Sequence, residues 1–531
     1  MIHTRRGLNG LVTAPHHMAA EAGADILRRG GNAVEAMVAA AAAIAVVYPH
    51  MNSIGGDGFW IIAEPGKDPV GIDASGPAAV LANRDFYADQ GYEDRIPPRG
   101  PLAALTVPGT VDGWRLALRR AAGWGRALPL SELLAPAIDH AIRGVPVTAG
   151  QENLTREKLD ELRDVPGFAE IFLTREGGVP AEASLLQQHY LASSLEHLAK
   201  AGLRDFYEGD LGALLTSGAE AAGSPLRRAD LEGFQAIETT PLRVALDVGT
   251  AYNMPPPTQG VSALMILALF QRLNVAEAES FAHIHGLVEA TKQAFLLRDA
   301  HVTDPFHMDR DAAGWLAPDF LDERAAAIDP ARALPWPRPA LPGDTIWMGA
   351  ADGEGRVVSF IQSTFWEFGS GTVPAGTGIA LQNRGASFSL DPGHANRLKP
   401  GKRPFHTLIP ALARLKDGRT LAYGNMGGEG QPQSQAAIFT RHVMFGQPMQ
   451  EAITAPRWLL GRTWGAETTT LKLEDRFDGA LLAALEAAGH DIELMPPFTS
   501  TMGHAGAVAT RPDGVIEGAN DPRSDGAAVA L

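Results

Sequence analysis

Hydrophobic and polar positions divide the chain into a helical first part, a mixed middle and a strand-rich last third. Near the start, "HMAAEAGADILRRGG" carries helical spacing and stops at a Gly-Gly pair, and Asn32 then opens a second helix with Glu35 three residues on. That second stretch, "AVEAMVAAAAAIAVVYP", is apolar almost throughout. It contains Glu35 and is mostly alanine, so the pattern predicts a buried core helix in place of a membrane span. A glycine-rich loop, "IGGDG", precedes a strand, "FWIIAE". From about Leu130 to Glu289 helical periodicity dominates, interrupted by "PLRVALDVGTAYNMPPPTQG", a strand followed by a loop. "ESFAHIHGLVEATKQAFLLRDAHVTDP" reads as one long amphipathic helix ending before Pro305.

The pattern changes sharply at Asp344-Thr345. Five prolines between Pro330 and Pro342 suit an extended, exposed linker. Directly after it, "TIWMGAAD", the turn "DGEGR" and "VVSFIQ" predict a β-hairpin that starts on the threonine. Strands dominate from there on, with helices expected near Gln433–Phe445 and Gly479–Ala488. No internal repeat interrupts this order, and helices flanking strand-rich stretches favour a layered body of both.

Composition narrows the function. A chain of 531 residues that is 45% hydrophobic and 20% charged is globular, and a net charge of −16 argues against nucleic acid as its partner. The absence of cysteine excludes disulfides, thiolate metal sites and a cysteine nucleophile. "MIHTRRGLNGLVTAPHHMAAEAG" has no apolar run after its arginines, which leads to the expectation of an unprocessed cytoplasmic protein without a membrane anchor. Sixteen histidines invite a metal reading, but His283 and His285 point to different faces of their helix, and His16, His17 and His50 have no spaced carboxylate partner. No metal and no cofactor are expected. "IGGDGFW" lacks a P-loop lysine and leads into a strand, and no G-x-S-x-G elbow is present.

Two features remain as candidate chemistry. Cleavage between Asp344 and Thr345 would expose a threonine whose own α-amine, with a pKa of about 8, is a suitable base for its hydroxyl. Gly427-Gly428, in "YGNMGGEGQPQ", offers two consecutive backbone N–H groups at the entry to a helix, a geometry that suits either a developing oxyanion or a plain turn.

Taken together, "GGNAVEAMVAAAAAIAVVYPHMNSIGGDGFW", "LTVPGTVDGW", "YNMPPPTQG", "VEATKQAFLLRD", "GDTIWMGAADGEGRVVSF", "FGSGTVPAGTGIALQNRGASFS", "LKPGKRPFHTLIPAL" and "GNMGGEGQPQ" resemble the γ-glutamyltransferase superfamily of N-terminal-nucleophile hydrolases, in family order over nearly the whole chain. The resemblance implies an α+β, four-layer αββα sandwich made as one precursor. It further implies a cut into a large subunit, 1–344, and a small subunit, 345–531, that stay intertwined, with pairing of such heterodimers left open. By position, Thr345 becomes the cleavage and catalytic nucleophile, Ser363 its hydroxyl partner, and Gly427 and Gly428 the oxyanion hole.

Several positions depart from the glutamyl pattern. Where that family holds its substrate's carboxylate and amine, this chain has Asp73, His406, Thr407, Arg384, Ser387 and Phe365, and Ile346 replaces the threonine that usually follows the nucleophile. An aspartate where an arginine held a carboxylate reverses the local charge, while Arg384, with His406 beside it, restores a cation from another wall. Phe365, Trp366 and Trp347 are candidates for narrowing the pocket, and Arg462 and Trp464 for shaping it further. "FIQSTFWEFGSG", "QNRGASFSLDPGH", "GGEGQPQ" and "RWLLGRTWG" look like the oxamate amidohydrolase-like branch, associated with bacterial purine breakdown. The expected partner is therefore a small carboxylate-bearing amide. Action on γ-glutamyl compounds such as glutathione, and an uncut relative that only binds a small anion, are the competing expectations.

Overall fold

The computed structural model describes residues 2–336, 344–461 and 468–531, with the backbone alone for Asp344. Arg462 and Trp464 lie outside the described residues. Two seven-stranded antiparallel sheets form the centre. One runs, in spatial order, Ala527–Ala530, Gly10–Ala14, Asp344–Asp352, Val357–Phe365, Asp57–Ala63, Val70–Ala74 and Ile237–Thr239. The other runs Arg5–Gly7, Ile516–Asn520, Ala505–Thr510, Thr420–Asn425, Ala411–Leu415, Gly249–Asn253 and Leu242–Leu246.

Side chains alternate along these strands, so each sheet has one face for its partner sheet and one for helices. Phe59, Trp347, Ile361, Leu412, Ala422 and Val508 fill the space between the sheets. The outer face of the first sheet packs on the helices His17–Arg28 and Ala33–Val47, and that of the second on Gly260–Arg272 and Gln431–Phe439. The result is the αββα sandwich. Strands from both sides of residue 344 interleave in both sheets, so neither stretch of chain completes a sheet alone.

Local chemistry explains the helices. Asn32 accepts the N–H of Val34 and Glu35 through its side chain, and the Glu35 carboxylate returns a bond to Asn32 N–H, a full capping box. The second Glu35 oxygen accepts Leu128 N–H, so the acid that argued against a membrane span is satisfied inside the core. Among the described residues no helix is long and apolar enough to cross a membrane.

Three local readings change. The Phe281–His301 helix is not amphipathic in its setting, because its polar face is covered as well as its apolar one. His283 meets Thr440, His285 meets His490 and Arg298 meets Glu429, all partners from beyond residue 344. The helix expected near Gln433–Phe445 begins two residues earlier, as Gln431–Phe439, and its last turn, Thr440–Met444, widens to π geometry. Trp347 belongs to the core between the sheets and does not wall a pocket: its indole N–H donates to Ser359 Oγ at 3.0 Å, and its ring lies against Gly424 and Gly506, where any Cβ would collide. Trp347→Ala is therefore expected to cost about 3–5 kcal/mol of stability, read as a lower denaturation midpoint.

Candidate active site

Thr345 occupies the third strand of the first sheet and is fully buried. The pairing with the Val357–Phe365 strand slips between Asp344 and Ile346, so the nucleophile candidate sits at a β-bulge. Bulges re-aim side chains and end regular pairing, which suits a hydroxyl presented for chemistry. Its Oγ1 lies 3.4 Å from Ser363 Oγ and 3.4 Å from Gln431 Nε2. Ser363 Oγ also accepts the N–H of Phe365 at 2.8 Å. Phe365, paired with Asp344 across the ladder, holds φ at 86°, a left-handed value that costs a bulky residue of order 1–3 kcal/mol. The hydroxyl pair thus abuts a strained backbone directly opposite the Asp344-Thr345 peptide.

The Gly427-Gly428 turn stands at the other side of this site. Gly427 takes φ 121° and Gly428 φ 51°, positions that disfavour a Cβ, and the turn runs into the helix whose first residue, Gln431, reaches Thr345. Among the described residues no acceptor takes the N–H of either glycine. Gln259 fixes the turn, donating to the carbonyls of Gly428 and Thr407 at 2.9 Å each, while Arg298 Nη1 donates to Gln259 Oε1 at 2.9 Å.

Arg384, Thr407, His406 and Phe365 come together beside this hydroxyl. Arg384 is buried, its guanidinium 3.8 Å from the Phe365 ring centre, and Nη2 donates to Thr407 Oγ1 at 3.2 Å. Its Nε and Nη1 have no partner among the described residues. Burial pulls its pKa down to about 9, which leaves it cationic at neutral pH. His406 Nε2 is 3.1 Å from Asp57 Oδ2, both groups fully buried. Burial, with the Arg384 charge, holds His406 well below its usual range, so the imidazole is neutral. Asp57 Oδ1 accepts Gln382 Nε2 and the N–H of Gly76 and Gly109, yet burial outweighs these bonds and raises its pKa to about 7.

Two further predicted pocket residues are engaged by partners of their own. Asp73 Oδ1 accepts the N–H and hydroxyl of Ser75, and Arg403 stands 3.7 Å from Oδ2. It lines a separate cavity of about 550 Å³ with Met254, Pro255 and Phe306. Ser387 ends the short turn Arg384–Ser387, and its hydroxyl donates to the Phe405 carbonyl at 3.4 Å. Trp366 faces Arg99, whose guanidinium lies 5.2 Å from its ring.

Sequence reasoning passed over Asp57, Gln259, Gln382 and Gln431, although all four stand within the quoted family-like stretches. Their signal was a polar residue inside an otherwise small or apolar segment. Among the described residues one group has metal-ligand spacing, His285, Glu289 and His490. Lys292 already supplies its positive charge, 2.7 Å from Glu289, and both nitrogens of His285 are hydrogen-bonded.

The αββα sandwich, with a buried threonine near the start of a bulged interior strand, is the architecture of the N-terminal-nucleophile hydrolases. The family model of gamma-glutamyltranspeptidase matches residues 19–531, and the chain belongs to that family. It is 54% identical, over 98% of both chains, to the oxamate amidohydrolase proenzyme of Klebsiella pneumoniae subsp. pneumoniae. Identity to the glutathione hydrolase-like YwrD proenzyme of Bacillus subtilis is 39%, over 99% of both. Among solved structures, the cephalosporin acylase from Bacillus halodurans superposes with a TM-score of 0.91 at 32% identity, covering 100% of this chain and 97% of that one. The chain is accordingly an enzyme that hydrolyses C–N bonds.

Ser363 supplies the hydroxyl that meets Thr345 and caps Phe365 N–H. Ser363→Ala is expected to lower amide-hydrolysis rate about 10–100-fold, whereas Ser363→Thr retains most of it, both read from the rate of amine release.

Proposed function

We propose that this chain is a self-processing amidohydrolase in which Thr345 cuts the precursor and then hydrolyses a small amide bearing one carboxylate. The observation that carries the reading is the position of Thr345: a buried hydroxyl at a bulge, touched by Ser363 and Gln431, opposite the strained Phe365. In self-cleavage the Thr345 hydroxyl attacks the carbonyl of Asp344, its N–C bond gives way to an ester, and water releases Asp344 as a new C-terminus. Residues 1–344 and 345–531 become the large and small subunits, held together by the interleaved strands.

The freed amine then takes the proton of the Thr345 hydroxyl as that oxygen attacks the substrate amide carbon. Gly427 and Gly428 N–H hold the tetrahedral oxyanion. The leaving nitrogen receives the proton and departs as ammonia or an amine, and a water molecule hydrolyses the acyl ester. Arg384, stacked on Phe365 with two nitrogens not engaged by the described residues, orients the carboxylate.

Oxamate fits this pocket: one carboxylate for Arg384 and an adjacent amide for Thr345. The 54% identical relative carries that substrate in its name, which supports the choice. The glutathione hydrolase-like relative favours a second reading, γ-glutamyl hydrolysis. Against it, the site offers one buried cation, Arg384, to a small carboxylate, while Asp73 and Ser387 stand where the glutamyl pattern holds its substrate's carboxylate and amine.

The test is ammonia release from oxamate beside amine release from a γ-glutamyl amide. Oxamate is expected to turn over faster, with Thr345→Ala inactive on both. Arg384→Gln should raise the KM for oxamate by about 10–100-fold, the weight of a charge-assisted hydrogen bond. Faster turnover of the γ-glutamyl amide would overturn the substrate assignment.

A further inference from the structure

Asp57 lies directly across the ladder from Ser363, one strand away from the hydroxyl that meets Thr345. Its link to the carboxylate pocket runs through two consecutive residues: His406 touches Asp57 Oδ2, and Thr407 accepts a bond from Arg384. Arg384 and Asp57 are also near enough to feel each other as charges. An ionised Asp57 and a substrate carboxylate would therefore compete for one buried cation. Two anions facing one cation at full burial leave one negative charge unbalanced, at high cost.

We propose that Asp57 is a specificity-determining residue, the resident counter-ion of Arg384, which yields that role to the substrate carboxylate by taking up one proton from solvent. This rests on the reading of Arg384 as the carboxylate anchor. The geometry accommodates the proton. Asp57 Oδ1 accepts from three donors, while among the described residues Oδ2 meets only His406 Nε2. A proton on Oδ2 donates to Nε2 once the imidazole moves its own proton to Nδ1, which gives up only a 3.4 Å contact with Leu408 N–H. Among the described residues, the titratable and charged groups that bear on Asp57 are His406, Arg384 and Tyr207. His406 is held neutral, and the Tyr207 phenol, bonded to the Pro108 carbonyl and Asp112 N–H, is held far above neutrality.

The sign follows from Asp57 ionising near pH 7 in the free enzyme. Below that pH the acid is neutral and Arg384 is unopposed, so a carboxylate binds best. Above it, each bound carboxylate must bring a proton, and affinity falls by up to about tenfold per pH unit.

The experiment uses pyruvate, a monocarboxylate with no amide, as a competitive inhibitor of amide hydrolysis by the processed enzyme. Its Ki is expected to rise between about pH 6 and pH 8.5 in the wild type. In Asp57→Asn, where an amide donates to His406 as the protonated acid would, Ki should be flat and lower at the alkaline end. A flat wild-type profile, with inhibition lost in Arg384→Gln, would overturn the role of Asp57 and leave the carboxylate reading standing. Unchanged inhibition in Arg384→Gln would overturn both. Should Asp57→Asn fail to process, proton uptake by wild-type enzyme on adding pyruvate, followed with an indicator dye in weak buffer, decides: uptake supports the proposal and its absence overturns it.

Discussion

The architecture turns on the seating of one strand. Asp344–Asp352 must pair with Gly10–Ala14 on one side and Val357–Phe365 on the other while its first residues break register. Regular pairing holds Trp347 in the core between the sheets, and the slip two residues earlier frees Thr345 from the ladder's geometry. A hydroxyl is thereby fixed by a rigid sheet without being locked into it. Fixed geometry of this kind lowers the reorganisation needed at the reacting centre.

Around that strand the fold places a cation, a backbone turn and a buried acid from distant parts of the chain. Asp57 and His406 are 349 residues apart in sequence, and Gln431 reaches Thr345 across 86. Gln259 and Arg298, from the part before residue 344, hold the Gly427-Gly428 turn and Glu429 from the part after it. The same interleaving that builds the sheets thus also assembles the site. A cut at residue 344 leaves these contacts in place, because none of them passes through the peptide bond that would be broken.

Much of this was legible in the sequence, for uneven reasons. The capping box at Asn32 and Glu35 and the hairpin after Thr345 are local, so residue order alone announces them. The sandwich itself and the clustering of Arg384, His406 and Thr407 beside Phe365 came through resemblance, since no spacing rule joins residues this far apart. Asp57 was missed because "IGGDG" reads as a loop, whereas its aspartate begins a strand and meets a histidine from the far end of the chain. Asp73 was placed at a carboxylate pocket by position, but Ser75 and Arg403 claim its oxygens. The Phe281–His301 helix misled for a related reason: its polar face looks solvent-bound until partners from the second half cover it.

The central claim is that Thr345 becomes an N-terminus, and mass spectrometry of the denatured, purified protein with N-terminal sequencing of any fragment tests it most directly. Self-cleavage yields two chains, of 344 and 187 residues, the shorter beginning Thr-Ile-Trp-Met. A single intact chain that nonetheless hydrolyses amides, or a fragment beginning at another residue, would contradict it.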